Sequence, residues 1–510
     1  MALARTLAVA VTGVQAELVE VEADLSQGLP GMSFTGMADT SVVESRDRVR
    51  AAVLNSGATW PNRRITVALL PADVRKTGSR FDLAVAIAVL ACSGQVRAEA
   101  VGSAAWIGEL GLDGRLRPVR GVLPSVAAAH AAGIERVVVA AGNGAEAALV
   151  PGVDVRVAGD LREIVAWLTG DGPALPTAVA GCDAGDEPTS PDLADVAGQE
   201  LGKRAIELAA AGGHHVYLLG SPGAGKTMLA ERLPGLLPPL DDEAALEVTA
   251  VHSVAGRLGD QARLIRRAPL QAPHHTASTA ALVGGGSHLA RPGAISLAHR
   301  GVLFLDEAAE FASSALDALR QPLETGRVVL HRGGGVVTYP ARFQLVLASN
   351  PCPCGSRARD CTCAPNARRR YQQRLSGPLL DRIDVRLAVE PVPHAALFGA
   401  ADEREPSAVV AARVATARLA AAERWRGTPW RVNADVPGSA LRAQPWRPAP
   451  EALAPAELYL QRGELSARGF DRVLRLSWTL ADLAGRTSPS SGEVAEALFF
   501  RTGRAESWAA

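Results

Sequence analysis

Lysine is nearly missing from this 510-residue chain: three of its 53 basic residues are lysines, at 76, 203 and 226, and the rest are arginine. Alanine, glycine and arginine are in excess, as a GC-rich genome produces, so each retained lysine is a position to examine. Net charge is lacking as well, with 53 basic against 53 acidic residues. Whole-chain charge therefore argues neither for nor against a nucleic-acid partner. No apolar run approaches the ~20 residues that span a bilayer. The opening MALARTLAVAVTGV has one arginine and a short apolar run, but no small-residue cleavage site follows. Its alternation continues through QAELVEVEADL, which reads as a strand pair and not as a secretory leader. The expectation is a cytoplasmic protein, where thiols stay reduced and its few cysteines serve something other than disulfides.

A chain of this length exceeds one hydrophobic core, and two to four domains are expected. Residues 1–170 alternate β-type runs (RRITVALLP, ERVVVAA) with alanine-rich helical ones, as an α/β domain does. Residues 171–194 are rich in Gly, Pro, Asp and Ser without periodicity and read as a linker. Residues 195–393 again alternate strand and helix. The strands VYLLG, GVLFLD and FQLVLAS are almost wholly apolar, the pattern of a parallel sheet covered on both faces. Residues 394–510 carry apolar residues at helical spacing and read as a helical domain.

Gly220-Ser221-Pro222-Gly223-Ala224-Gly225-Lys226-Thr227 matches G-x-x-x-x-G-K-[ST], with an apolar strand before it and a helix after it. The glycines let backbone N–H groups turn toward phosphate oxygens, and the helix adds its positive N-terminus. Lys226 would reach the β- and γ-phosphates, and Thr227 would hold Mg²⁺. Further on, GVLFLDEAAEF ends a strand in Asp306-Glu307. Asp306 suits Mg²⁺ binding, and Glu307 suits orienting the attacking water. A third strand ends in Asn350, where an amide could touch the γ-phosphate.

The order P-loop, acidic strand end, polar strand end and then SGPLLDRIDV resembles that of AAA+ ATPases. QAPHHTASTAALVGGGSHLARPGAISLAHRGVLFLDE, LRQPLETGRVVLHRGGGVVTYPARFQLVLASNPCPCG and YQQRLSGPLLDRID are similar to the ComM/YifB family of magnesium chelatase-like proteins, over essentially the whole chain. DEAAEF departs from the family pattern, in which a bulkier apolar residue and a proline follow the glutamate; the carboxylates are intact. The resemblance implies ATP and Mg²⁺ as cofactors, Arg382 as an arginine finger acting on a neighbouring subunit, Arg468 as the sensor-2 arginine, and Gly198-Gln199 near adenine. It also implies an insert at about 270–296 and a hairpin before Asn350 with His331 and Arg332 near its tip. His274-His275 reads as a packing or capping pair, with no metal-ligand spacing.

The N-terminal domain resembles a Lon-protease-like fold. Proteolysis there needs a Ser–Lys pair. No lysine lies between 76 and 203, and Arg-Phe-Asp stands where the nucleophile should, with Ser79 close by. Peptidase activity is not expected.

Cys352, Cys354, Cys361 and Cys363 crowd the segment just past Asn350. Four thiolates in a short turn-rich loop can converge on one Zn²⁺; redox-active or unligated thiols are the alternatives. The family carries this cluster. Arg357, Arg359, Arg368, Arg369, Arg370 and Arg374 surround it, with only Asp360 as a local acid. They suit a phosphate backbone, or else a subunit contact. Taken with the resemblance, the expectation is a homohexameric ATP-driven motor on single-stranded or branched DNA, a helicase promoting branch migration. The alternative is a chelatase-type motor that remodels a protein partner.

Overall fold

A computed structural model of the chain describes residues 2–181, 190–259, 261–286, 290–332, 335–356, 361–394 and 404–503. The chain divides into two compact units. The first comprises residues 1–185, 245–264 and 331–339; the second comprises 186–244, 265–330 and 340–510.

The first unit holds a seven-stranded mixed sheet. In chain order its strands are β1 (Ala2–Thr12), β2 (Gln15–Ser26), β3 (Gly31–Thr35), β4 (Arg64–Leu70), β5 (Ala104–Ile107), β6 (Arg136–Ala140) and β7 (Asp154–Ala158). Across the sheet they run β3-β4-β2-β1-β5-β6-β7. The alternation of β2 sends Val19, Val21, Ala23 and Leu25 inward, with Glu20, Glu22 and Asp24 between them less buried. The helix Asp82–Cys92, apolar all round, is buried along its whole length. The stretch expected to be a free linker is partly tied down. Val157 N–H donates to the Pro176 carbonyl at 3.0 Å and Ala178 N–H to the Val155 carbonyl at 2.9 Å. Backbone pairing of this kind leaves no side-chain periodicity to read.

The second unit is built on five parallel strands: β8 (Val216–Leu219), β9 (Leu270–Gln271), β10 (Val302–Leu305), β13 (Gln344–Ser349) and β14 (Val385–Ala388). Their order is β9-β10-β13-β8-β14. In the chain between β10 and β13 come β11 (Arg327–Arg332) and β12 (Gly335–Pro340), a two-stranded hairpin where the sequence expects one, whose residues 331–339 belong to the first unit. The strand residues of β10 and β13 are all buried, as their apolar composition demands. Leu219 pairs with Ser349 and with Ala388, and Leu305 pairs with Leu347. This register brings the carboxyl ends of β8, β10 and β13 to one edge, which is where open parallel sheets bind ligands.

The C-terminal helices Ser407–Arg424, Pro450–Gln461, Ala467–Leu483 and Ser491–Thr502 share one hydrophobic core with this sheet. Trp425 anchors them at its centre, with edge-to-face contacts to Trp430, Trp446 and Trp478. Ser490 and Glu493 cap the last helix reciprocally.

Candidate nucleotide site

The loop from Gly220 to Gly225 leaves β8 and enters the helix Lys226–Leu236. Gly223 and Gly225 have positive φ, and a Cβ on Gly220 would lie 2.4 Å from the Val389 carbonyl oxygen. Only glycine fits there. Ser221, Pro222 and Ala224 complete the curl that aims N–H groups past the helix N-terminus. Lys226 is buried, and its Nζ donates to the carbonyls of Gly220 at 2.8 Å and Ser221 at 3.0 Å and to Asn350 Oδ1 at 3.2 Å. Burial lowers its ammonium from the ordinary lysine value, while Asp306 and Glu307 oppose that shift.

Thr227 Oγ1 donates to Asp306 Oδ2 at 2.7 Å. Two hard oxygens this close match the edge of a Mg²⁺ octahedron, about 3 Å for bonds near 2.1 Å. Next to it Glu307 adopts a left-handed φ of 50°, and its N–H donates to Asp306 Oδ1 at 2.8 Å. A non-glycine residue in that region costs about 1–2 kcal/mol, strain of the sort that gathers at working sites. Opposite its carboxylate stands His275, whose Nδ1 is 2.9 Å from Glu307 Oε2. His274 stacks on His275 with ring centres 4.1 Å apart and bonds Thr276 Oγ1 at 2.9 Å. The sequence reading missed this role. The pairing is through space, from the loop after β9 to the end of β10, and no local pattern in the sequence signals it.

Gln199 also has a positive φ, of 60°. Its Nε2 donates to the carbonyls of Ala224 at 2.7 Å and Glu390 at 2.6 Å. It borders a cavity of about 250 Å³ beside the phosphate loop, lined by apolar Leu201, Leu387, Val392 and Phe499 and by Glu200 and Glu390.

Past Asn350 the four cysteine sulfurs lie within 4.8 Å of one another. Cys354 and Cys361 sulfurs are 3.7 Å apart, and those of Cys361 and Cys352 are 3.5 Å apart. Tetrahedral Zn²⁺ with Zn–S bonds near 2.3 Å needs sulfurs about 3.8 Å apart, so the set is compatible with a zinc site. The loop leans on the nucleotide site. Gly355 has a φ of 70°, and a Cβ there would lie 2.7 Å from Pro222 Cγ.

Not every expected residue joins this edge. Arg382 lies just before β14, at the opposite end of the sheet from Gly220. Its guanidinium bonds the Glu324 carboxylate and the Pro378 carbonyl, and its Nε is buried without a partner. It lines a cavity of about 490 Å³ together with Arg342, Arg472, Arg475, Glu324 and Asp384. Arg468, Arg472 and Arg475 share a helix but not an environment. Arg472 Nη1 pairs with buried Asp384 at 2.9 Å, and Arg475 Nε donates to the Val436 carbonyl at 2.6 Å. Arg468 is exposed and is not among the residues lining that cavity. Burial alone would raise the Asp384 carboxyl, but Arg472 and His214 pull it far below the ordinary range.

The arginine-rich segment forms the helix Pro365–Gln372, on which Arg369 and Arg370 are exposed and Arg368 is half-buried. Arg332 ends β11, but its side chain lies outside the described residues, as do Arg357 and Arg359. In the first unit Ser79 Oγ donates to the Glu109 carboxylate and Lys76 Nζ to the Pro71 carbonyl.

Three sequence families match the chain. "Magnesium chelatase, subunit ChlI" covers residues 192–397, "Subunit ChlI of Mg-chelatase" covers 21–143, and "Magnesium chelatase, subunit ChlI C-terminal" covers 404–501. An uncharacterised protein of Mycobacterium tuberculosis is 54% identical over 502 residues, 98% of this chain and 99% of its own. YifB of Salmonella typhimurium is 42% identical over 493 residues, 96% of each chain. Competence protein ComM of Haemophilus influenzae is 41% identical over 507 residues, 98% of each chain.

Proposed function

The chain belongs to the ComM/YifB family of magnesium chelatase-like proteins, AAA+-type ATPases, and we propose that it is a ring-forming motor that hydrolyses ATP to move on DNA. The observation that carries the reading is the convergence of Lys226, Thr227, Asp306, Glu307 and Asn350 on one sheet edge. Phosphoryl transfer to water needs little covalent help and much placement of charge. In this reading the loop amides and Lys226 bind the β- and γ-phosphates. Thr227 and Asp306 hold Mg²⁺, which neutralises phosphate charge when bound. Glu307 takes up the proton of the attacking water, and Asn350 fixes its line of approach.

Arg382 stands a full strand length, about 13 Å, from its own phosphate loop. Its proposed action on the nucleotide of a neighbouring copy, in a ring proposed as a homohexamer, comes from the family resemblance; in the single chain its guanidinium is paired with Glu324. Arg472 and Arg475 border the same cavity. Arg468 keeps the sensor-2 role only as an expectation from family resemblance. The four cysteines would hold a structural Zn²⁺ that stiffens the loop after Asn350. Arg332 on the hairpin and Arg368, Arg369 and Arg370 on the helix would meet phosphate backbone, and the competence role printed for ComM favours DNA as the track.

The test is displacement of a strand from forked and four-way DNA. Unwinding that requires ATP and vanishes in Glu307→Gln supports the proposal; DNA that is neither bound nor unwound contradicts it. A chelatase-type motor acting on a protein partner is the second reading, favoured by the three chelatase family matches. Co-purification with a metal-inserting subunit, without DNA binding, would select it.

A further inference from the structure

The arginine helix does not end freely. Its last turn and the residues after it grip the nucleotide site at two backbone points. Gln372 Nε2 donates to the Pro351 carbonyl at 3.3 Å, one residue past Asn350. Arg374 Nη1 donates to the Ala309 carbonyl at 3.0 Å, two residues past Glu307, and to Glu310 Oε2 at 3.0 Å. Between them Tyr371 is buried; burial and the Glu310 and Glu307 carboxylates push its phenol above the ordinary range. Glu310, Pro353, Arg370, Tyr371 and Arg374 line one open cleft of about 520 Å³, so the exposed Arg370 borders the same cleft as the anchoring Tyr371 and Arg374.

The turn that Arg374 holds is the strained one. Glu307 is left-handed, and the Glu310 N–H closes back on the Glu307 carbonyl at 2.7 Å. A guanidinium that bonds both a carbonyl and a carboxylate of that turn limits how Glu307 can move. Gln372 does the same for the residue beside Asn350. A displacement of the helix reaches the Gln372 contact directly and the Arg374 contact through the short turn that follows Gln372.

We propose that Tyr371–Arg374 is a lever that couples a polyanion bound by Arg369 and Arg370, the exposed arginines of the helix, to the placement of Glu307 and Asn350. Arg374 is a positioning residue in this device and not a phosphate contact, because its charge is already paired with Glu310. The proposal rests on the DNA-motor reading and assigns it a transmission path.

The experiment compares wild type, Arg374→Ala and Arg374→Lys. Binding of a fluorescent forked DNA is read by anisotropy, and ATP turnover is measured with and without saturating DNA. The lever predicts that Arg374→Ala binds DNA within about twofold of wild type yet loses most of the stimulation ratio. Arg374→Lys, which keeps a donor and the charge, restores part of it. Stimulation of Arg374→Ala equal to that of wild type overturns the lever while leaving the motor reading intact. Wild type that binds DNA without stimulation overturns the lever together with the motor reading. Wild type that binds no DNA overturns both. If Arg374→Ala melts early, Gln372→Ala removes one hydrogen bond only and is held to the same comparison.

Discussion

Thr227 and Asp306 lie on different elements, the helix after β8 and the end of β10, yet their side-chain oxygens are 2.7 Å apart. The parallel register makes this contact. β10 and β8 both pair with β13: Leu219 is level with Ser349 at its end, and Leu305 with Leu347 two residues earlier. The site is thus a property of the sheet edge. Each chemical group is the first polar residue after an apolar strand, or the first residues of the helix that follows.

His275 facing Glu307 should act on the rate and not on binding. His275→Ala is expected to lower kcat by about tenfold with KM for ATP nearly unchanged, because the pair orients the carboxylate and touches no phosphate. Steady-state kinetics at saturating Mg²⁺ checks this. A rise in KM with unchanged kcat would place His275 in nucleotide binding instead.

Arg382 and Lys226 should complement across subunits. Each of Lys226→Ala and Arg382→Ala is expected to lower turnover by about 10²-fold or more. Mixing the two inactive variants in equal amounts should return about a quarter of wild-type turnover, since that share of interfaces joins an intact loop to an intact arginine. Turnover that stays at the level of the single variants would contradict action between copies.

The purified protein is expected to carry about one Zn²⁺ per chain, lost in Cys352→Ser and Cys361→Ser. Elemental analysis reads the stoichiometry. Because Gly355 abuts Pro222, metal removal should also weaken ATP binding, measured with a fluorescent nucleotide. Metal-free protein with wild-type ATP affinity would disconnect the two sites.

Stability should fall as pH drops from 6.5 to 4. His215 accepts the Leu345 N–H on Nδ1 at 3.0 Å, and burial lowers its imidazole from 6.5 to about 4. As pH falls the unfolded chain takes up this proton first, so stability present above pH 6.5 is lost on the way to pH 4. The loss is at most about 3 kcal/mol, less for the part of the ring that borders the arginine cavity. His215→Gln, which can still accept the hydrogen bond, should flatten that part of the denaturation midpoint against pH. An unchanged slope would sink the assignment.

The phosphate loop and the two strand ends were legible because each is written in a few adjacent residues. GSPGAGKT specifies a backbone curl, and VLFLDE specifies a buried strand with a charged end. Contacts made across the sheet left no such trace. The partnership of His275 with Glu307 depends on β9 lying beside β10, and that of Arg374 with Glu310 on where a helix docks. The arginines of the Ala467–Leu483 helix show the same limit. Arg468, Arg472 and Arg475 recur at helical spacing, but burial against Asp384 and Val436 separates the last two from the exposed first. Pairing of residues 176–178 with β7 was hidden for a different reason, since backbone hydrogen bonds need no particular side chain.

The central claim is that one ATP site drives a motor on DNA. Its most direct test is steady-state ATP hydrolysis by the wild-type chain at low salt, alone and with single-stranded, duplex and forked DNA, with Lys226→Ala as the blank. The account predicts turnover that Lys226→Ala abolishes and that DNA stimulates, with stimulation fading as salt rises and counterions compete for phosphate. Turnover that persists in Lys226→Ala, or that is indifferent to every DNA at every salt concentration, would contradict it.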